Sequence, residues 1–218
     1  MGAGVSEAER VIEEIRQAFA TTTRPPDPFL VGSREGCEPE ESVAPFHGRD
    51  WRDLDAPMLD ANYTALSFFS EGGFRYFLPA FMIADLRDGL RTADPVFHLT
   101  QGFASFETTI EVDGRPWPRR HGGDVPLNPR RYGAIVWRDH ARFRLSVFSR
   151  EEAAAIVSYL RWRASKEEDD ENRRTIETAL REFWLERCER APAAADLDAH
   201  VAAEQAFTDA WLQRNRLK

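Results

Sequence analysis

Apolar residues recur three and four positions apart in several separate stretches of the chain, and that period predicts a mostly helical protein. Val11, Ile12, Ile15 and Phe19 share one face behind Ser6, which forms a capping box with Glu9, so a first amphipathic helix is expected there. Pro25 and Pro26 end it, because neither has the amide that the helical ladder needs, and a long loop is expected from there to about Pro45. Leu59, Tyr63 and Leu66 then fall on one face of a helix near 57–66.

The most apolar run is SFFSEGGFRYFLPAFMIADLRDGL, residues 67–90. It does not alternate as a strand would, whereas Phe74, Phe77, Leu78, Phe81, Asp85 and Leu86 lie near one face at helical spacing. Ser70 is placed to cap the start and Gly89 to stop the end, and Pro79 predicts a kink or a restart, hence two short helices. A bilayer span needs roughly 20 apolar residues, about twice the run from Phe74 to Ala84, so the stretch reads as core, with Leu78 and Phe81 fully buried.

The period changes in the middle of the chain. FETTIEV precedes Asp113-Gly114, a strong two-residue hairpin signal, and Pro116 and Pro118 should shorten the return strand or confine it to an edge. YGAIVW and RFRLSVF are two further strand candidates, which would give a small antiparallel sheet. On the second of these, Phe143, Leu145 and Val147 would turn inward and Arg142 and Arg144 outward. Ser149 and Glu152 form another capping box, ahead of a helical face of Ala153, Ile156, Val157 and Leu160. Ile176, Leu180, Phe183 and Trp184 mark a further helix, and Leu197, Val201, Phe207 and Trp211 a last one. The expected class is α+β: a mostly helical single domain over residues 1–191 with a small antiparallel sheet in its middle, and a C-terminal helical extension over 192–218.

Composition adds limits. A chain of 218 residues with 42% apolar content has enough material for a buried core without disulfides. Its two cysteines, Cys37 and Cys188, and a start that lacks the pattern of a secretory leader point to a reducing cytoplasm. MGAGVS formally fits a myristoylation pattern, but Ser6 has a simpler use as a cap. The net charge of -8 argues against nucleic acid or an anionic membrane as the partner.

Trp51 with Leu54, then LSFFS, FRYFLPAF, FSREEAAAIVSYLRW and ALREFW, occur in an order and spacing that resemble a family of uncharacterised bacterial proteins classed as a domain of unknown function. The resemblance runs over most of Ala8 to Trp184, leaves the segment after Pro192 as an addition, and carries no catalytic residues with it. Gly72 and Gly73 depart from the stronger helix formers expected at those positions.

Candidate chemistry is sparse. The chain has no phosphate-binding glycine loop, nucleophile elbow, paired-cysteine motif or His-Glu-x-x-His. His-Gly-x-Asp occurs twice, at His47 to Asp50 and His121 to Asp124. Were the loops to converge, they would supply a two-His, two-Asp metal site or a base with its orienting acid; otherwise each is a glycine turn whose neighbours bond the backbone. The clearer anomaly is charge, since residues 115–144 hold eight arginines against two aspartates. Arg119, Arg120, Arg130, Arg131, Arg142 and Arg144, interleaved with Trp117, are the candidate binding residues, with solvated surface paired to acidic helices as the plainer reading.

Two functions stay open on the sequence. One is a non-enzymatic interaction or regulatory module, of an immunity or defence kind, with an acidic protein as partner and no cofactor or metal. The other is a small metal-dependent or acid/base hydrolase built on the His-Gly-x-Asp loops. Oligomeric state is not encoded in any motif.

Overall fold

The computed structural model describes residues 6–33, 36–129 and 133–192, and between 197 and 214 only residues 197, 199, 202–203, 205–207, 209–210 and 213–214. Helix α1 (Glu7–Ala18) starts where the capping pattern places it: the Glu9 amide donates to Ser6 Oγ at 3.1 Å, and Val11, Ile12 and Ile15 are buried. The segment expected as a long loop is more ordered than that. It holds a 3-10 turn (Asp27–Phe29), helix α2 (Glu38–Val43) and a second 3-10 turn (Ala44–Phe46). Pro28, Pro39 and Pro45 sit in first turns, where a missing amide costs no helical bond, so prolines within the expected loop start short helical turns.

The helix expected near 57–66 is two pieces, α3 (Ala56–Ala61), capped by Asp55, and α4 (Ala65–Phe68). Leu59 and Leu66 are buried as the spacing requires, but Tyr63 lies in the break and is 47% exposed. Helix α5 (Glu71–Leu86) corrects a second expectation: it is one continuous helix with Pro79 inside it. Its residues are buried from Gly72 to Ala84, and tertiary packing of this kind outweighs one lost backbone bond. The Gly73 amide donates to Ser70 Oγ at 3.0 Å, while the helix ends with Asp88, not Gly89, in the left-handed region (φ 55°). Leu78 and Phe81 are fully buried, with Phe81 beside Phe46 and Phe46 packed edge-on to Phe69 and Phe77.

Arg75, the charge in the middle of this apolar helix, has its answer across the core. Its Nε lies 3.0 and 2.9 Å from the two carboxylate oxygens of Glu152. Glu152 also accepts from the Thr22 hydroxyl at 2.6 Å and the Ser149 amide at 2.7 Å, so one buried carboxylate joins α5, the segment that follows α1 and helix α8 (Arg150–Lys166). The Ser149–Glu152 capping box is therefore also a core ion-pair site.

Helix α6 (Pro95–Thr100) leads to strands β1 (Ser105–Val112) and β2 (Arg115–Gly122), which pair antiparallel from Ser105↔Gly122 to Val112↔Arg115. Asp113 (φ 51°) and Gly114 (φ 71°) close the hairpin with the positive φ pair of a type I′ turn. A two-residue turn makes Val112↔Arg115 a hydrogen-bonded pair, so the alternate positions 116 and 118 turn their backbone nitrogens to the free edge. The prolines there cost no ladder bond, and β2 runs its full length on an edge where a shortened strand was one of the two expected outcomes.

Among the described residues, the two further strands are not strands. Tyr132 lies outside the described residues, Val136 makes one isolated bridge to Pro126, and Trp137–Leu145 is helix α7. Its alternating pattern hid a second period: Ala141 and Leu145, four apart, are the buried pair, and Phe143 is 57% exposed. The chain closes with α9 (Asp170–Ala179), a π-helical turn (Leu180–Trp184) and α10 (Leu185–Arg190), which bury Ile176, Leu180, Phe183 and Trp184 as their spacing predicts. Of the last predicted face, Leu197 is buried and Phe207 exposed, while Val201 and Trp211 lie outside the described residues. The result is an α+β fold in which helices carry the core and the two-stranded sheet carries almost none of it.

Candidate functional site

Because side chains on a strand alternate and paired residues point the same way, the register sorts the hairpin into two faces. One face carries Phe106, Thr108, Ile110 and Val112 from β1 and Arg115, Trp117, Arg119 and His121 from β2. The other carries Glu107, Thr109, Glu111, Pro116, Pro118 and Arg120. All of β1, and β2 from Arg115 to Arg120, is exposed. On the first face Phe106 is 49%, Ile110 38%, Val112 44% and Trp117 56% exposed, a concentration of large apolar side chains that folded surfaces seldom leave uncovered.

Charge follows the same division. On the apolar face Arg115 and Arg119 make no ion pair among the described residues, and no acid accompanies them. On the reverse face Arg120 Nε lies 3.7 Å from Glu107. The face is partly stiffened from within, since the His121 ring stacks flat on Phe106 (5.0 Å between centroids, 7° between planes) and His121 Nε2 lies 2.8 Å from Thr108 Oγ1.

The base of the arm explains the second His-Gly-x-Asp motif. Gly122 has φ 88°, and a Cβ there would sit 1.9 Å from the Ala104 carbonyl oxygen, so this corner admits only glycine. The Asp124 amide donates to Ser105 Oγ at 3.0 Å and its carboxylate pairs with Arg138 at 3.1 Å, which fixes the arm against the start of α7. In the first motif the Gly48 amide donates to Asp27 at 3.0 Å. Asp50 caps the 3-10 turn Trp51–Asp53 and pairs with Arg52 at 3.0 Å, and His47 Nε2 lies 3.9 Å from Glu40. Burial alone would raise the Asp50 carboxyl, but the Arg52 amide, the Tyr76 hydroxyl and the Arg52 guanidinium together hold it below the usual carboxylate range. Among the described residues no three His, Cys, Asp or Glu side chains are grouped to hold one ion, so His47, Asp50, His121 and Asp124 do not form the four-ligand site. Each loop is a turn with structural partners.

The arginine candidates separate in the same way. Arg119 and Trp117 share the exposed face, and Arg120 points to its reverse. Arg142 and Arg144, expected to project from a strand into solvent, are on α7 and serve the body. Arg142 donates to the Glu182 carbonyl at 2.5 Å. Arg144 donates to the Leu66 carbonyl at 2.7 Å and lies 4.9 Å over the Phe74 ring, where burial lowers its pKa from the ordinary value. Arg130 and Arg131 lie outside the described residues. Arg115 belongs to the eight-arginine segment, whereas Phe106, Ile110 and Val112 carry a different signal, the strict alternation through FETTIEV, which places every second residue on one face.

Residues 7–113 match the model of a family of unknown function, DUF6714. The matched segment contains the LSFFS and FRYFLPAF motifs, stops in the turn of the arm, and so leaves β2 and the two later motifs beyond it. No curated protein and no solved structure matches the chain. No helix among the described residues is long and apolar enough to cross a membrane.

Proposed function

We propose that this chain is a protein-interaction module that holds an acidic segment of a partner protein on the Phe106–Trp117 face of its β hairpin. The observation that carries the reading is a sheet exposed along almost its whole length, with four large apolar side chains on a face whose ionised groups are both arginines. A two-stranded hairpin has little stability of its own, and apolar surface of this size is stabilised when covered. Aromatic and arginine anchors at the centre of a patch are the residue types on which protein interfaces most often depend. Arg115 and Arg119 select the sign of the partner, and the edge of β1 offers backbone groups for an added strand, whereas Pro116 and Pro118 remove donors from the edge of β2.

The test is affinity capture from the native host with the full chain, set beside Ile110→Ser/Trp117→Ser and Arg115→Glu/Arg119→Glu. A partner captured by the parent and lost from both variants, with unchanged melting temperatures and weaker capture in high salt, is the expected result. Capture that survives both double changes excludes the face. Loss in the serine variant, with the parent a dimer and the variant a monomer in light scattering, would make a second copy of the chain the occupant. The acid/base hydrolase reading gains no support from Asp50, His121 and Asp124, each of which has a structural use, or from His47, which joins no cluster of ligating side chains among the described residues.

A further inference from the structure

On the body of the molecule, α1, the 3-10 turn Trp51–Asp53, the start of α3 and the second half of α5 enclose a cavity of about 610 Å³, within the size range of small-molecule sites. Its walls divide by chemistry. Leu54, Ala56, Ala80, Ile83 and Ala84 form an apolar floor, to which the small side chains of α5 give depth. Arg16, Arg52 and Arg87 supply three cations against a single acid, Asp55, which is already engaged in capping α3 through the Met58 amide at 2.9 Å.

The three arginines are not equivalent. Arg52 is fixed: it donates to both oxygens of Asp50 and to the Ala20 carbonyl, and its guanidinium lies 4.8 Å over the Trp51 ring. Arg16 is loosely held, 3.9 Å from Glu13, and Arg87 makes no ion pair among the described residues. Trp51 closes the wall beside them, and its indole N–H is buried with no partner among the described residues. Two under-used guanidinium groups beside an apolar floor are the features of a site for an anion with an apolar body, because arginine matches a carboxylate in a two-pronged contact and the floor contributes only to a ligand that has apolar surface to bury.

We infer that this cavity binds a small organic acid, with its carboxylate between Arg16 and Arg87 and its flat apolar part against Ala80, Ile83 and Ala84. The site is separate from the hairpin face and does not depend on the role assigned to it. The test uses indole-3-acetate, its uncharged amide indole-3-acetamide, and inorganic phosphate, each titrated into the full chain and followed by calorimetry and by the Trp51 indole N–H resonance, assigned with Trp51→Phe. Saturable binding of the acid at least tenfold tighter than that of the amide or of phosphate, with movement of the Trp51 signal, is expected. The change Arg16→Glu/Arg87→Glu, at two exposed positions, should weaken the acid at least tenfold and leave the amide unchanged. Equal binding of acid and amide would remove the arginines from the site, and phosphate as tight as the acid would remove the floor. Either result, or no binding by the acid, overturns the inference.

Discussion

The helical body and the hairpin arm use the same residue types to opposite ends. In the body arginines are internal structure: Arg144 lies over Phe74 and bonds the Leu66 carbonyl, Arg187 bonds the Phe148 carbonyl, and Arg75 is paired with Glu152 inside the core. On the arm, Arg115 and Arg119 stand next to Trp117 with no acid on their face, and all three are exposed. Arginine content therefore says little about function until burial is known. A guanidinium whose donors meet carbonyls is part of the fold, and one on an uncovered apolar face is available to a partner.

The largest effect that separates the two regions should come from the buried pair. Arg75→Met leaves the Glu152 carboxylate in the core without its cation, and removing one member of such a pair typically costs about 3 to 5 kcal/mol. The double change Arg75→Met/Glu152→Leu should recover part of that loss, because it removes the uncompensated charge but also the Ser149 cap and the Thr22 contact. Urea unfolding of the three proteins checks it. A single variant that loses less than about 1 kcal/mol would place the pair in solvent and the comparison with the arm would fail.

An effect that is smaller at any one step, but accumulates over several pH units, comes from titration. His98 is 8% exposed, and burial, with the nearby Arg144 guanidinium, lowers its pKa to about 3. In the unfolded chain the ring titrates near 6.5, so between about 6.5 and 3 the unfolded state binds a proton that the folded state refuses. Its contribution is thus fully present above pH 6.5 and declines as the pH falls through that window, by roughly 1 kcal/mol per pH unit. His98→Leu should flatten this part of the stability curve relative to the parent. Parallel curves for the two proteins would show that the ring reaches water.

Much of the body was legible in the sequence because its signals are local. Ser6, Ser70 and Ser149 all cap helices where their spacing with the following residues indicates, and Ile176, Leu180, Phe183 and Trp184 are all buried. The errors arose where tertiary context decides. Pro79 remains inside α5 because the helix is enclosed, and Arg142, Phe143 and Arg144 alternate in type yet lie on a helix that buries Ala141 and Leu145. The Asp113-Gly114 turn was readable, whereas the exposure of both faces of its strands was not, since alternation shows which residues share a face but not whether anything covers it. The same limit hid the cavity, whose lining comes from four segments between Arg16 and Arg87.

The smallest expected effect is the sharpest test of the arm's independence. Gly114 has φ 71°, so Gly114→Ala places a side chain in the left-handed region at a cost of roughly 1 to 2 kcal/mol, while a Cβ there meets no atom within 4 Å. The cost is conformational and local to the turn. If the arm opens without the body, amide exchange over β1 and β2 should quicken about 5- to 30-fold while global stability, read by urea unfolding, shifts by less than about 0.5 kcal/mol. The fall would instead be global if the hairpin and helices unfolded as one unit. That outcome would require the exposed face to contribute to the body's stability, although β1 is exposed along its whole length and Phe106, at its base, lines an open groove with Arg174 of α9. A local response would show that the arm can be altered, and its partner surface mapped residue by residue, while the helical core stays as it is.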